Sequence, residues 1–258
     1  MKTRVLPFER IDNFRDYGGY AVAGGGRLRE AILYRSAQHR DATPRDLATV
    51  GSLGLSVVID LRGARERQAA PCPRPDGFKA RIVKVDAETA GLAPHLEAAR
   101  DVNDPAQARA AMLAGYAGMP FRPVLIDVLR GYFAALAEDG GASLVHCMAG
   151  KDRTGFAVAL VHAMLGVHHD DLIADYLLTN TAGRAEERIE AGARVARKIY
   201  GAHLGDEAVR ILMLVEPAYL DAAFAAINAE HGSLQDYLND RLGVDAACRR
   251  AIASRLVV

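Results

Sequence analysis

Cysteine is scarce in this chain: Cys72, Cys147 and Cys248 are the whole complement. An odd, sparse set excludes a disulfide framework and fits a reducing compartment, where a nucleophilic thiol stays usable. Net charge is also lacking, with 32 basic residues against 32 acidic ones. That balance argues against a broad nucleic-acid face, although a local positive pocket can exist in a neutral protein. No apolar run is long enough to span a bilayer, and Met1 to Ile11 carries Lys2, Arg4, Glu9 and Arg10 with no apolar signal core. The expected location is cytoplasmic, with signal-independent export left open. What the chain does have is ordinary for a globular protein: 258 residues, half of them hydrophobic and a quarter charged. We expect a single domain over 1–258.

The spacing of apolar residues and breakers predicts alternating strands and helices. Residues 17–35 read as a hairpin turning at Gly24-Gly25-Gly26. Thr43-Pro44 opens a helix with Leu47, Val50 and Leu53 on one side, and Gly54 stops it. Ser56–Leu61 is a buried-strand candidate, Arg62–Ala69 a short charged helix, and Arg81–Val85 a further strand. Pro71, Pro73 and Pro75 make a loop between the last two. Residues 87–120 are Ala-rich, broken and hard to place. Pro123–Ala137 is an amphipathic helix, ended by Gly140-Gly141. Ala142–Val145 is a short strand, and a helix follows from Arg153 to Leu165. Residues 169–258 are helical almost throughout. The fold class is therefore α/β, a central sheet flanked by helices with a mostly helical C-terminal part.

Between that last strand and its helix lies His146-Cys147-Met148-Ala149-Gly150-Lys151-Asp152-Arg153-Thr154-Gly155. In open α/β sheets ligands sit beyond the carboxyl ends of strands. The first amides of a helix lack intrahelical partners and, with the helix dipole, form an anion site. The small residues Ala149 and Gly150 let the loop curl so that successive amides, from Met148 onward, point inward. Arg153 supplies a planar fork for two phosphate oxygens. The same positive setting favours a thiolate at Cys147. The expected reaction is attack of Cys147 on phosphorus, then hydrolysis of a cysteinyl-phosphate, with Arg153 and the loop amides stabilising the transferring group. Asp152 is the nearest general acid, and like charge from the phosphate helps keep it protonated. Lys151 is expected to add positive charge to the substrate or to counter Asp152. Thr154 is expected to hydrogen-bond the Cys147 sulfur. A Walker A reading fails, because Val145 stands where the first glycine belongs and Asp152 where Ser or Thr must bind magnesium.

These residues resemble the signature loop of cysteine-dependent protein tyrosine phosphatases, in the version of an atypical bacterial and fungal branch. Other segments carry the same resemblance: Asn13–Gly19, Leu33–Ser36, Val58–Arg62 with Glu66, Asp175–Asn180, and Gly232-Ser233 through Leu242–Val244. The resemblance implies the phosphatase α/β fold, a metal-free and cofactor-free mechanism, and Asp152 as the acid in place of one on a separate mobile loop. Gly155 falls in the implied phosphate-binding set. Implied substrates are phosphotyrosine, phosphoserine or phosphothreonine in proteins, and phosphoinositides. The lipid preference is helped elsewhere by a lysine after the cysteine, and here Met148 stands there. A helical lid is implied in some relatives, with 91–120 or the helices after Gly183 as candidates.

Rival readings are a cysteine-loop sulfurtransferase or arsenate reductase, and a phosphate-binding module without catalysis. Arsenate reduction needs a redox partner, and neither Cys72 nor Cys248 has a suggestive spacing. Asp60 and Asp86 are rival acids, with structural roles favoured for both. Arg15 and Arg62 are read first as structural ion pairs. His146 is expected to be buried and loop-orienting. His168-His169 with Asp170-Asp171 reads as a solvated helix start and not as a metal site, since adjacent helical residues do not converge.

Overall fold

A computed structural model describes residues 4–87, 104–138, 140–200 and 205–258, together with Glu97, Ala99 and Val102. Among these residues five strands form one sheet: β1 (Arg15–Asp16), β2 (Leu33–Ser36), β3 (Leu55–Asp60), β4 (Arg81–Val83) and β5 (Ala142–His146), in the order β1-β2-β5-β3-β4. β2, β5, β3 and β4 run parallel, and β1 is an antiparallel edge. Helices α1 (Pro44–Ser52), α2 (Ala64–Ala69), α3 (Pro105–Gly118), α4 (Pro123–Glu138) and α5 (Asp152–Met164) connect and cover it. The described residues after α5 include α6 (His169–Leu177), α7 (Ala185–Tyr200), α8 (Asp206–Met213), α9 (Pro217–His231), α10 (Leu234–Leu242) and α11 (Ala246–Leu256). The expected α/β class with a helical C-terminal region is observed.

Side chains alternate across a strand, and the two faces fill two apolar clusters. Leu33, Val57, Ile59 and Val145 face the main core, built with α4 and α5. Tyr34, Val58, Ala142 and Leu144 face a smaller one containing Ile11, Phe14 and Val50 of α1. β5 is buried along its whole length, and α5 is buried from Asp152 to His162. Burial on both faces explains the compact apolar runs of β3 and β5. Thr43 and Asp46 cap α1 reciprocally: each side chain accepts from the other's backbone amide, at 3.1 and 3.2 Å.

Three expectations need adjusting. The hairpin keeps its course and turns at Val22–Gly26, but its ladder pairs Arg15 with Arg35 and Asp16 with Tyr34. Residues 17–23 are not a strand: they meet the returning arm through scattered bonds, Gly19 to Leu28 and Leu28 to Tyr20, and an isolated Ala21–Arg27 bridge, and Gly18 lies so close to the Arg29 carbonyl that a Cβ would be 2.0 Å from its oxygen. The short charged helix starts at Ala64, since the Arg62 side chain turns back to Asp60. β4 stops at Val83 and is largely exposed as the far edge. Much of the 91–103 stretch, and with it most of the first half of the lid candidate, lies outside the described residues; its second half contains α3.

Candidate active site

The loop from Cys147 to Lys151 joins the carboxyl end of the central strand β5 to the N-terminus of α5. Its curvature is set from outside. The Gln38 amide donates to the Met148 carbonyl at 3.0 Å. The Asn13 side chain donates to the Ala149 carbonyl at 3.3 Å and the Gly150 carbonyl at 2.8 Å. Arg35 donates to the same Gly150 carbonyl at 3.1 Å. With three successive carbonyls engaged in this way, the amides of Met148 to Lys151 find no acceptor among the described residues, which is the condition for an anion-binding nest. Gly150 has φ +64°, and a Cβ there would lie 2.4 Å from the Ser36 carbonyl oxygen. Both observations require glycine.

Behind the loop lies a buried charge cluster. Asp175 accepts from Arg15 Nε at 3.1 Å and from Arg35 at 2.6 Å. Arg15 also donates to the Asp175 carbonyl at 2.8 Å, to Thr179 Oγ1 at 3.2 Å and to the Asn13 side-chain oxygen. Burial and the adjacent Arg35 pull the Arg15 guanidinium down to about 10, against the attraction of Asp175. Asp175 is held well below the usual carboxylate range; burial opposes this, and Arg15 and Arg35 overcome it. The segments Asn13–Gly19, Leu33–Ser36 and Asp175–Asn180 thus meet in one scaffold around the loop.

Cys147 lies at the loop base, 3 % exposed. Arg153, in the first turn of α5, is equally enclosed and donates to both Glu66 oxygens, at 2.5 and 2.7 Å, and to the Leu61 carbonyl at 3.2 Å. Burial works against the Arg153 charge, but Glu66, Cys147 and Asp152 hold it above its ordinary range. Glu66 also accepts from the Gly63 amide at 2.9 Å, so one carboxylate caps α2 and fixes the guanidinium plane. Asp152 is 2 % exposed and accepts from the Tyr116 hydroxyl at 2.9 Å.

The remaining site residues take more varied places. Lys151 turns away from the loop interior, to Asp152 at 3.4 Å and to the carbonyls of Leu212 and Leu214 at the end of α8. Burial pushes its ammonium down, with Asp152 opposing. Of its two expected roles, geometry favours countering Asp152. Thr154 is fully enclosed in the first turn of α5, and among the described residues its hydroxyl has no partner, so the expected bond to the Cys147 sulfur is not made. Gly155 touches the Tyr176 ring, where a Cβ would lie 2.7 Å from Cε2; its small size serves packing. Met148 is half-buried against the main core.

Asp60 is enclosed by Arg62, which donates at 2.9 and 2.8 Å to its two oxygens. Burial would raise its carboxyl, but His146 and this fork hold it well below the usual range. It is a structural anion and a poor acid. Asp86 is exposed and pairs with Arg67 and Lys84. His146 is buried, stacks on His39, and is pushed down to about 4 by burial. His168 bonds the Asp170 amide, whereas His169 faces Asp221. Sequence reasoning assigned no role to Gln38, Tyr116 or Tyr176. It met Asn13, Arg35, Glu66 and Asp175 only inside the segments that carried the resemblance.

The model of the tyrosine phosphatase family matches residues 6–258. A Cupriavidus necator protein that provisionally bears the name tyrosine-protein phosphatase is 39 % identical over 245 residues, covering 94 % of this chain and 85 % of that protein. The triple specificity protein phosphatase PtpB of Mycobacterium tuberculosis is 31 % identical over 273 residues, covering 93 % and 94 %. A tyrosine-protein phosphatase of Nostoc commune is 26 % identical over 216 residues, covering 79 % and 67 %.

Proposed function

We propose, since this chain belongs to the tyrosine phosphatase family and is a protein-tyrosine phosphatase, that it works through a cysteinyl-phosphate on Cys147. The observation that carries this reading is the capture of the Met148, Ala149 and Gly150 carbonyls by Gln38, Asn13 and Arg35, while the loop amides beside Cys147 keep no acceptor among the described residues. A phosphate dianion bound there accepts from those amides and from Arg153, whose plane Glu66 fixes. The Cys147 thiolate attacks phosphorus, the S–P bond forms, and the bond to the phenolic oxygen breaks. Asp152 gives its proton to that oxygen as it leaves. In the second step water attacks phosphorus and gives a proton to the Asp152 carboxylate. The S–P bond breaks and Cys147 departs as thiolate, with inorganic phosphate as product.

The substrate class is phosphotyrosine in proteins. Extension to phosphoserine, phosphothreonine or phosphoinositides draws support from the name of the mycobacterial relative, which covers most of both chains. Met148 after the nucleophile gives a lipid headgroup no added cation. We read 1–258 as one phosphatase domain, in keeping with the span of the family match. Among the described residues no single helix is long and apolar enough to cross a membrane. Replacing Cys147→Ser is expected to abolish turnover of a phosphotyrosine peptide while retaining phosphate binding by calorimetry. Residual hydrolysis near the wild-type rate would overturn the mechanism.

A further inference from the structure

We propose that Tyr116, backed by Tyr176, is a positioning residue for the general acid: its hydroxyl holds one oxygen of Asp152 so that the transferable proton resides on the other. The inference rests on Asp152 being the acid. Tyr116 lies near the end of α3 and is fully buried. Its hydroxyl donates to Asp152 Oδ1 at 2.9 Å and accepts from the Tyr176 hydroxyl at 2.6 Å. A phenol has one proton to give. Tyr176 gives its proton to Tyr116, so Tyr116 must give its own to Asp152, and the chain runs in one direction. Lys151 Nζ lies 3.4 Å from the same Oδ1. An oxygen that faces a donated O–H and an ammonium is a poor seat for a further proton. The acid form therefore carries its proton on Oδ2.

The packing reinforces the chain. Tyr176 reaches Tyr116 because Gly155 has no side chain: a Cβ there would lie 2.7 and 2.9 Å from two carbons of the Tyr176 ring. Phenylalanine would fill either tyrosine's space without two buried hydroxyls, which cost stability unless paired. Here their pairing ends on the carboxyl that the chemistry uses. Besides the two phenols, the groups facing Asp152 include Lys151 from the loop, Arg153 from α5 and Tyr219 from α9. Burial and the nearby Asp152 hold the Tyr116 hydroxyl well above its ordinary range, so it remains a donor.

Loss of this donor has two effects. The carboxyl is less well aimed, which matters most for leaving groups that need a proton. The ionised carboxylate also loses a charge-assisted bond, so Asp152 keeps its proton to higher pH. The test measures kcat/KM over aryl phosphates of graded leaving-group acidity and a phosphotyrosine peptide. It compares wild type, Tyr116→Phe, Tyr176→Phe and Asp152→Asn, with vanadate affinity and Tm as controls. Tyr116→Phe is expected to lose about tenfold on phosphotyrosine and little on the most acidic phenol. The basic limb of its pH profile should move upward, and vanadate affinity should hold. Tyr176→Phe should follow the same pattern more weakly, and carries the prediction if Tyr116→Phe folds poorly. An equal loss on all esters, or an unmoved basic limb, would overturn the proposal. If Asp152→Asn shows strong leaving-group dependence and the tyrosine variants do not, only the positioning role falls. If Asp152→Asn shows none, the assignment of the acid falls with it.

Discussion

Arg153 is oriented by protein groups before any phosphate arrives. Glu66 accepts from both of its terminal nitrogens, and the Leu61 carbonyl accepts from one of them. A guanidinium fixed in plane loses little freedom when it binds a phosphate oxygen pair, and this is what distinguishes it from a mobile cation. Replacing Glu66→Gln keeps an acceptor but removes the charge and the second oxygen of the fork. The expected result is a fall of about tenfold in kcat/KM with weaker vanadate binding, from loss of one charge-assisted pair. Wild-type values for both would show that the loop, and not Glu66, aims Arg153. Thr154 marks the limit of residue-by-residue reading. Its place in the motif suggests a partner in the Cys147 sulfur, whereas its hydroxyl is enclosed without one among the described residues.

The elements matter through what they bring behind the loop. β1, β2 and α6 deliver Arg15, Arg35 and Asp175 to one buried cluster, and Arg35 passes the constraint on to the Gly150 carbonyl. The strand-loop-helix unit was legible in the sequence, because an apolar run, small residues and a helical pattern stand next to each other between Ala142 and Leu165. The two sheet faces were less legible, since β3 and β5 are buried on both sides and lack polar alternation. The hairpin over 17–35 kept its turn, but its first arm pairs only through scattered bonds and an isolated bridge, a detail that depends on the returning arm and not on local residue types. Glu66 and Asp175 were visible as charges, but not as partners of arginines 87, 160 and 140 positions away. Tyr116 gave no signal at all. It sits in an Ala-rich stretch without clear periodicity, and its meaning depends on contacts with Asp152 and Tyr176.

At the scale of the whole molecule, three histidines enclosed among the described residues couple stability to pH. Burial lowers His39, His146 and His162 from the ordinary 6.5, His146 to about 4. Between those values the unfolded chain binds protons that the folded one refuses. Stability is therefore full above about pH 6.5 and falls as pH drops toward 4, by about 3 kcal/mol for His146 alone. Asp60 and Asp175 act in the same sense, but their contribution fades only in stronger acid, because both carboxyls are held low in the folded state. Urea midpoints should drop steadily from pH 7 to pH 4.5. A flat profile over that window would mean that the buried imidazoles gain protons without cost.

The proposed chemistry depends on one covalent bond between Cys147 and phosphorus. Rapid acid quenching during turnover of a phosphotyrosine peptide, followed by mass spectrometry of the digested enzyme, looks for that bond directly. The predicted result is a single phosphate on the peptide containing Cys147, formed within the first turnover and absent from Cys147→Ser. Phosphate on another residue, or full turnover with no phosphorylated enzyme at any quench time, would contradict it.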